Sequence, residues 1–442
     1  MPARRTAADL AVVGARIRTG DPARPWATAV AVRDGVFAVV GDDAEVRAAC
    51  DAATCVVDAR GTHLVPGLVD AHCHPLWGSR AARDADLSSA RSLEDARAEL
   101  ARVAADRGPG DWVIGHGLRR GWFGDGPRAA AIEDAVGGRP AFLTFRDGHG
   151  ALATRAALAA AGITGAVAFG DASQVVCDPD GTPTGELREP TAMEAVRTAF
   201  PQQTPEQRRE RYLRTLRDMA AMGITGAHVM DDHPNDAGDL AAMDASGRLP
   251  VRLLLHVWVK PEMDDDALED AVRRGSAPGG GRWRTGALKF FLDGVVGSGT
   301  AWLKAPDTRG EGTHPFWPDP ERYRRAVALG AAAGLGCTTH AIGDRAIEVA
   351  LAAYAAAPPR ATPGRTARHR VEHVETLDPA DLPRFAAHGV AASMQPLHCE
   401  GVRPGGDDDW SRRLGPGRPV ADGRCATSWT PAPWSRWDPT GR

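Results

Sequence analysis

Lysine is almost missing from this chain. Of its 53 basic residues only Lys260, Lys289 and Lys304 are lysine, and arginine supplies the others. Against that background a lysine inside an apolar strand asks for a chemical reason, because only lysine offers a nucleophilic amine of tunable pKa. Long apolar runs are missing too. No stretch reaches the roughly 18 residues of a membrane span, and the N-terminus MPARRTAADL has no signal-peptide core. A soluble cytoplasmic protein is expected. A basic excess is also absent: the net charge is −4, which removes the electrostatic case for nucleic acid or an anionic membrane. The seven cysteines are scattered and odd in number, which fits reduced thiols better than a disulfide framework. The 442 residues, 43% of them hydrophobic, suffice for one large domain or two ordinary ones.

The stretch Leu64 to Pro75, LVPGLVDAHCHP, organises what is present. An apolar run broken by Pro66-Gly67 leads into Asp70, His72 and His74. Alternate residues of a strand share a face, so His72 and His74 point together and Cys73 points away. Two imidazoles at a strand end can hold one divalent metal.

Before it, Leu10–Val13, Ala29–Val32, Phe37–Val40 and Cys55–Val57 read as short strands between glycine turns, part of a small β-structure over 1–62. After it, 76 to about 205 reads as an insertion roofing the site. Ser92 followed by Asp95 predicts a capped helix to Ala105. Trp112–Ile114 and Ala141–Phe145 read as strands, Ala151–Ala161 as a helix, and Asp178–Glu189 as a turn-rich hairpin. From Pro205 the pattern alternates. Helices are expected at Glu206–Met222, Asp236–Ala245, Asp264–Arg274, Pro320–Ala333, Arg345–Ala356 and Pro379–His388. Strands are expected at Ile224–Met230, Val251–Val259, Ala287–Leu292, Leu335–His340, His369–Val374 and Val390–Met394. Alternation of this kind implies parallel strands with crossover helices. With the strand at Leu64 that makes seven, one short of a closed (β/α)8 barrel. An open doubly wound sheet would want a glycine-rich phosphate loop after its first strand, and none is there.

Barrels of this type do their chemistry at the C-terminal strand ends. Those ends carry His72 and His74, then Lys289 with Asp293 after it, then His340, His373, and last Gln395 and His398. A single histidine there is more often a satisfied core residue; it is the shared rim that points to a two-metal site. Asp293 also suits a turn cap before Gly294. His149, in Asp147-Gly148-His149, is placed either to bind substrate or to tie a loop. Trp77, Trp122 and Trp302 can line a pocket, with core packing the default.

The pieces PGLVDAHCHP, DGHGALATRAAL, DGTPTGELRE, LKFFLDGVVGSGTAW, HAIGDRA, RVEHVE and SMQPLH, in this order, resemble the amidohydrolase superfamily of metal-dependent hydrolases. They are nearest the branch of the N-substituted formamide deformylases. The resemblance runs from about Ala8 to about Leu414 and implies an α/β fold built on a TIM-like (β/α)8 barrel over 63–414. It implies His72 and His74 as ligands of a buried metal, Lys289 as a carbamylated bridge, and His340 and His373 as ligands of a second metal. Metal-bound hydroxide would then hydrolyse a non-peptide C–N bond of an N-acyl or N-formyl amide. Lys289, His340 and Asp293 are the catalytic candidates, and His149, Gln395 and His398 the substrate-binding ones. Zinc is the expected ion, one or two per chain, with iron, manganese or cobalt as alternatives. The expected partner is a small amide-type molecule, and a homo-oligomer stays open, as does a phosphotriester or cyclic amide substrate.

The C-terminus departs from that pattern. Family members carry a strand-8 aspartate as proton shuttle and later strands that complete the N-terminal sandwich. After Val420 this chain has no Leu, Ile, Val, Phe or Met, but three tryptophans and three prolines. That composition cannot make a buried parallel strand. The expectation is therefore a barrel without strand 8, an incomplete sandwich, and an aberrant tail over 415–442 from truncation or frameshift. Such a copy is an impaired enzyme or a catalytically silent metal binder.

Overall fold

Parallel strands buried on both faces need branched residues, and the chain supplies them between helices from Pro205 onward. The computed structural model describes residues 7–81, 85–108, 110–201, 203–360, 367–395, 398 and 408–415. The chain divides into two units, the first running to Leu68 and the second beginning at Val69.

The first unit holds two small sheets. Four strands lie in the order Val36–Gly41, Ala29–Arg33, Leu10–Val13 and Cys55–Asp58. Three short ones lie as Trp26–Ala27, Arg16–Arg18 and His63–Leu64. Ala11, Val13, Ala29, Ala31 and Val46 form its small core.

The second unit is built on a seven-stranded sheet. In chain order its strands are β1 (Leu68–Cys73), β2 (Ile224–Val229), β3 (Arg252–Trp258), β4 (Trp283–Phe291), β5 (Gly336–Ala341), β6 (Arg370–His373) and β7 (Ala391–Ser393). Each bonds its neighbour in that order, and the pairs from β2 through β7 are parallel. The sheet curls until β1 meets β6, where His72 contacts Glu372, so the barrel is nearly closed. Alternation sorts the residues. Val257, Leu288, Phe290 and Val371 turn outward against helices Asp265–Ser276, Pro320–Ala332 and Asp344–Ala356 in the largest core. His228, His256, Lys289, His340, Arg370 and Glu372 share the opposite face by register. The inside of this barrel is therefore polar.

The segment after β1 folds as its own six-stranded sheet, in the order Gln174–Cys177, Pro183–Arg188, Gly150–Ala153, Ala141–Phe145, Val113–Leu118 and Ala85–Asp86. Helix Leu93–Ala105 packs Leu100 and Ala104 onto Val113 and Leu143, and its Ser92–Asp95 capping box is present.

Three expectations need correcting. Ala151–Ala161 is not one helix: Gly150–Ala153 is a strand hydrogen-bonded on both sides, and the helix is only Arg155–Ala160, capped by Thr154. Two flanking ladders outweigh the helix propensity of alanine. Leu64 belongs to a short strand paired with Ile17, so β1 starts at Leu68. Pro379–His388 shortens to Leu382–Ala387. The absent eighth strand and the aberrant tail concern residues after 415, which lie outside the described residues. Among the described residues no helix is long and apolar enough to cross a membrane.

Candidate functional site

The end of β1 delivers His72 and His74, and a carboxylate holds each. His72 Nδ1 lies 2.6 Å from Glu372 Oε2, which also accepts from Gln395 Nε2 at 3.3 Å. A carboxylate can only accept, so His72 carries its proton on Nδ1 and leaves the Nε2 lone pair open. His74 Nδ1 lies 2.8 Å from Asp231 Oδ1, just past β2, and the other oxygen takes the amides of Leu76 and Trp77. Its ring stacks on Trp77 at 5.2 Å. Cys73 points the other way, among the residues packed around Leu76 and Leu213.

The remaining imidazoles line up from there. Ring centroids run 5.5 Å from His74 to His72, 4.8 Å on to His373, 4.3 Å to His340 and 4.8 Å to His149. Strand parity would send Glu372 inward and His373 outward. Both reach His72 because His373 and Val374 take φ of +75° and +54°, which turns the chain sharply at the end of β6. A β-branched residue rarely adopts that conformation, and such strain gathers at functional sites.

Burial comes first among the causes that push His72, His340 and His373 well below the usual imidazole range, with neighbouring cationic groups adding to it. They are neutral at pH 7, the form that binds metal. Lys289 is 1% exposed, and burial lowers its amine to about 8. These donors fit a divalent ion. His72 and His74 present Nε2, and His340 bonds the Gly294 carbonyl through Nε2 at 3.0 Å and keeps Nδ1. His373 Nδ1 is buried without a hydrogen-bond partner.

His149 comes from the inserted sheet. Its Nδ1 meets Glu189 Oε2 at 2.8 Å, and Ser298 and Thr300 hold the other Glu189 oxygen. Burial alone would lower His149, but the Glu189 carboxylate outweighs it and raises the imidazole above its ordinary value. Gln395 reaches the site through Glu372.

Donor atoms of His373, Glu375 and His398 lie within 4.8 Å of one another. His398 stacks flat on His373 at 14°, however, so their in-plane lone pairs run side by side and do not converge. Glu375 is already held by His398 Nδ1 at 2.9 Å and Trp410 Nε1 at 3.0 Å. The trio reads as a hydrogen-bonded pair lying on His373.

Asp293 lies 3.7 Å from His340 Nε2 and is also held by the backbone. Its fully buried carboxylate accepts backbone N–H groups of Trp302 at 2.8 Å, Ile342 at 3.0 Å and Gly343 at 2.7 Å. Burial raises it to about 8 against the pull of these amides. This is an anchor that ties the loop after β4 to the loop after β5. The residues that sequence reasoning passed over are the holders: Glu372, Arg370, Asp231 and Glu189. Glu372 and Arg370 lie inside the quoted RVEHVE, and their inward parity was the available signal.

Beside Trp77 opens a cavity of about 920 Å³, walled by Trp258 and Asp232 of the barrel and by Phe142, Thr144 and Arg197 of the inserted domain. Arg197 lies over the rings of Trp77 and Phe142.

Known proteins resemble this chain along most of its length. LONG AFTER FAR-RED 3 of Arabidopsis thaliana is 27% identical over 88% of this chain and 68% of its own. N-substituted formamide deformylase of Arthrobacter pascens is 28% identical over 88% of this chain and 73% of its own. An uncharacterized metal-dependent hydrolase from Pyrococcus horikoshii has the same fold, with TM-score 0.68 and 22% identity over 92% of this chain and 77% of that one. The amidohydrolase family profile matches residues 55–430, and the chain therefore belongs to the amidohydrolase family, hydrolases whose chemistry implies a divalent metal.

Proposed function

We propose that this hydrolase cleaves a non-peptide C–N bond in a small N-acyl or N-formyl amide. Its divalent metal, zinc foremost, is held by His72, His74, Lys289, His340 and His373. The observation that carries the reading is the meeting of β1, β5 and β6 imidazoles at one rim, with the β4 amine of Lys289 close enough for its charge to act on all three. The name of the Arthrobacter relative supports the substrate class.

When bound, the metal supplies Lewis acidity and makes water a usable nucleophile near pH 7. The protein's own groups do the rest. Glu372 and Asp231 fix the imidazoles so that their open nitrogens face the ion. The lowered pKa of Lys289 leaves more free amine, the form that adds carbon dioxide to give a carbamate and a proton. His149, braced by Glu189, faces the substrate carbonyl from the roof. The inserted sheet excludes water, and the substituent on the amide lies along Trp77, Phe142 and Trp258.

The test is to strip the protein with chelator, reload it with zinc, and follow amine release from a panel of N-formyl and N-acyl amides. Turnover that chelator abolishes and zinc restores is expected. Tight zinc binding without turnover of any amide would replace this reading with that of a silent metal binder.

A further inference from the structure

β1 and β6 are not ladder neighbours, because the hydrogen-bonded order begins with β1 at one edge and ends with β7 at the other. Side chains nevertheless cross between them. Glu372 Oε2 meets His72 Nδ1 at 2.6 Å, and Arg370 Nη2 donates to the Ala71 carbonyl at 3.1 Å. The same Nη2 pairs with Glu372 Oε1 at 2.9 Å. We propose that Arg370 and Glu372 form a clasp that positions His72 for the metal and fastens the first barrel strand to the sixth.

Donor bookkeeping supports this. Glu372 is wholly buried, so its charge needs a partner, and Arg370 is the cation it pairs with. Arg370 is itself fixed from inside the barrel, where its Nη1 lies 3.3 Å from His228 Nδ1. Arginine only donates, so that nitrogen of His228 accepts, and His256 Nε2 lies 3.2 Å from the same nitrogen. The protons on Arg370 Nη1 and Nη2 and on His72 Nδ1 are thereby assigned, and the last assignment frees His72 Nε2, whereas Arg370 Nε, His256 Nδ1 and Glu372 Oε1 are buried without a hydrogen-bond partner. An amide in place of Glu372 could instead donate to His72 Nδ1, move the proton to Nε2, and occupy the nitrogen the metal needs.

The positioning half of the clasp rests on the proposed reading of His72 as a ligand, so the readout is zinc affinity, measured by competition with a chromophoric chelator, and not turnover. Glu372→Gln is expected to weaken zinc about 10- to 100-fold, with the nitrogen-15 shifts of His72 reporting the proton on Nε2. Because that variant strands Arg370, the double variant Arg370→Met with Glu372→Leu removes both charges. The clasp predicts that the double variant regains denaturant stability yet still binds zinc weakly. It also predicts faster amide hydrogen exchange along β1 in Arg370→Met. If the double variant recovers zinc affinity together with stability, Glu372 was only balancing charge and the proposal falls. If His72→Asn lowers zinc affinity while Glu372→Gln does not, the clasp is wrong and the ligand reading survives. If His72→Asn leaves zinc affinity unchanged, both fall together.

Discussion

Lys289 and Asp293 sit four residues apart and are both sealed from solvent, yet they play different parts. Lys289 is a buried amine whose charge acts on nearby imidazoles, whereas Asp293 is locked to three backbone amides. Lys289→Met keeps the stem and removes the nitrogen. It should cut amide turnover on the order of 100-fold and lower the zinc content measured by elemental analysis. Asp293→Asn should leave zinc content unchanged. It should instead cost about 1–3 kcal/mol of stability, because an amide nitrogen replaces one of the two oxygens that accept backbone N–H groups, and a denaturant melt would measure it. An Asp293→Asn protein with full stability but no turnover would assign Asp293 the acid–base role in place of the anchoring one. At this scale the sequence disclosed the donors but not their supports. Rarity singled out Lys289 and strand ends singled out the histidines. Glu189 could not be found that way, because it meets His149 only after two distant segments of the inserted sheet are brought together.

Elements were readable where one local signal dominated. The Ser92–Asp95 capping box is an example, and its loss is testable: Ser92→Ala should cost about 1 kcal/mol in thermal or denaturant unfolding. The barrel strands from β2 to β7 also fall where alternation places them, because buried parallel strands need apolar runs whatever their neighbours. Gly150–Ala153 was misread because small residues carry no periodic signal, and its strand state comes from two ladders remote in sequence. A contact of the same long-range kind governs Gly343. A Cβ there would stand 2.0 Å from the Trp302 carbonyl oxygen, on the backbone that Asp293 ties down. Gly343→Ala should therefore destabilise by about 1–3 kcal/mol, measured by chemical denaturation.

The molecule as a whole hides polar groups inside its barrel, and this sets its acid limit. Burial lowers His228 to about 4 and pushes His256 well below the ordinary value. As pH falls below about 6.5 the unfolded chain takes up protons that the folded chain refuses, so stability is lost with acid. Each such histidine contributes about 1.4 kcal/mol per pH unit through that window. The metal-free protein should melt at progressively lower temperature from pH 6.5 towards 4, and His256→Gln should flatten the curve by about one proton. Alternation within one strand shows which residues share a face, as it does for Arg370 and Glu372, but how the polar faces of separate strands line up appears only when the strands pair.

The inserted sheet has a further consequence. It forms its own core, yet supplies Phe142, Thr144 and Arg197 to the cavity beside Trp77 and His149 to a ring contact with His340. What enters and what reacts are thus encoded in separate stretches of the gene. Substitutions in the inserted sheet can reshape the cavity beside Trp77 without touching the strand ends that carry His72, His340 and His373.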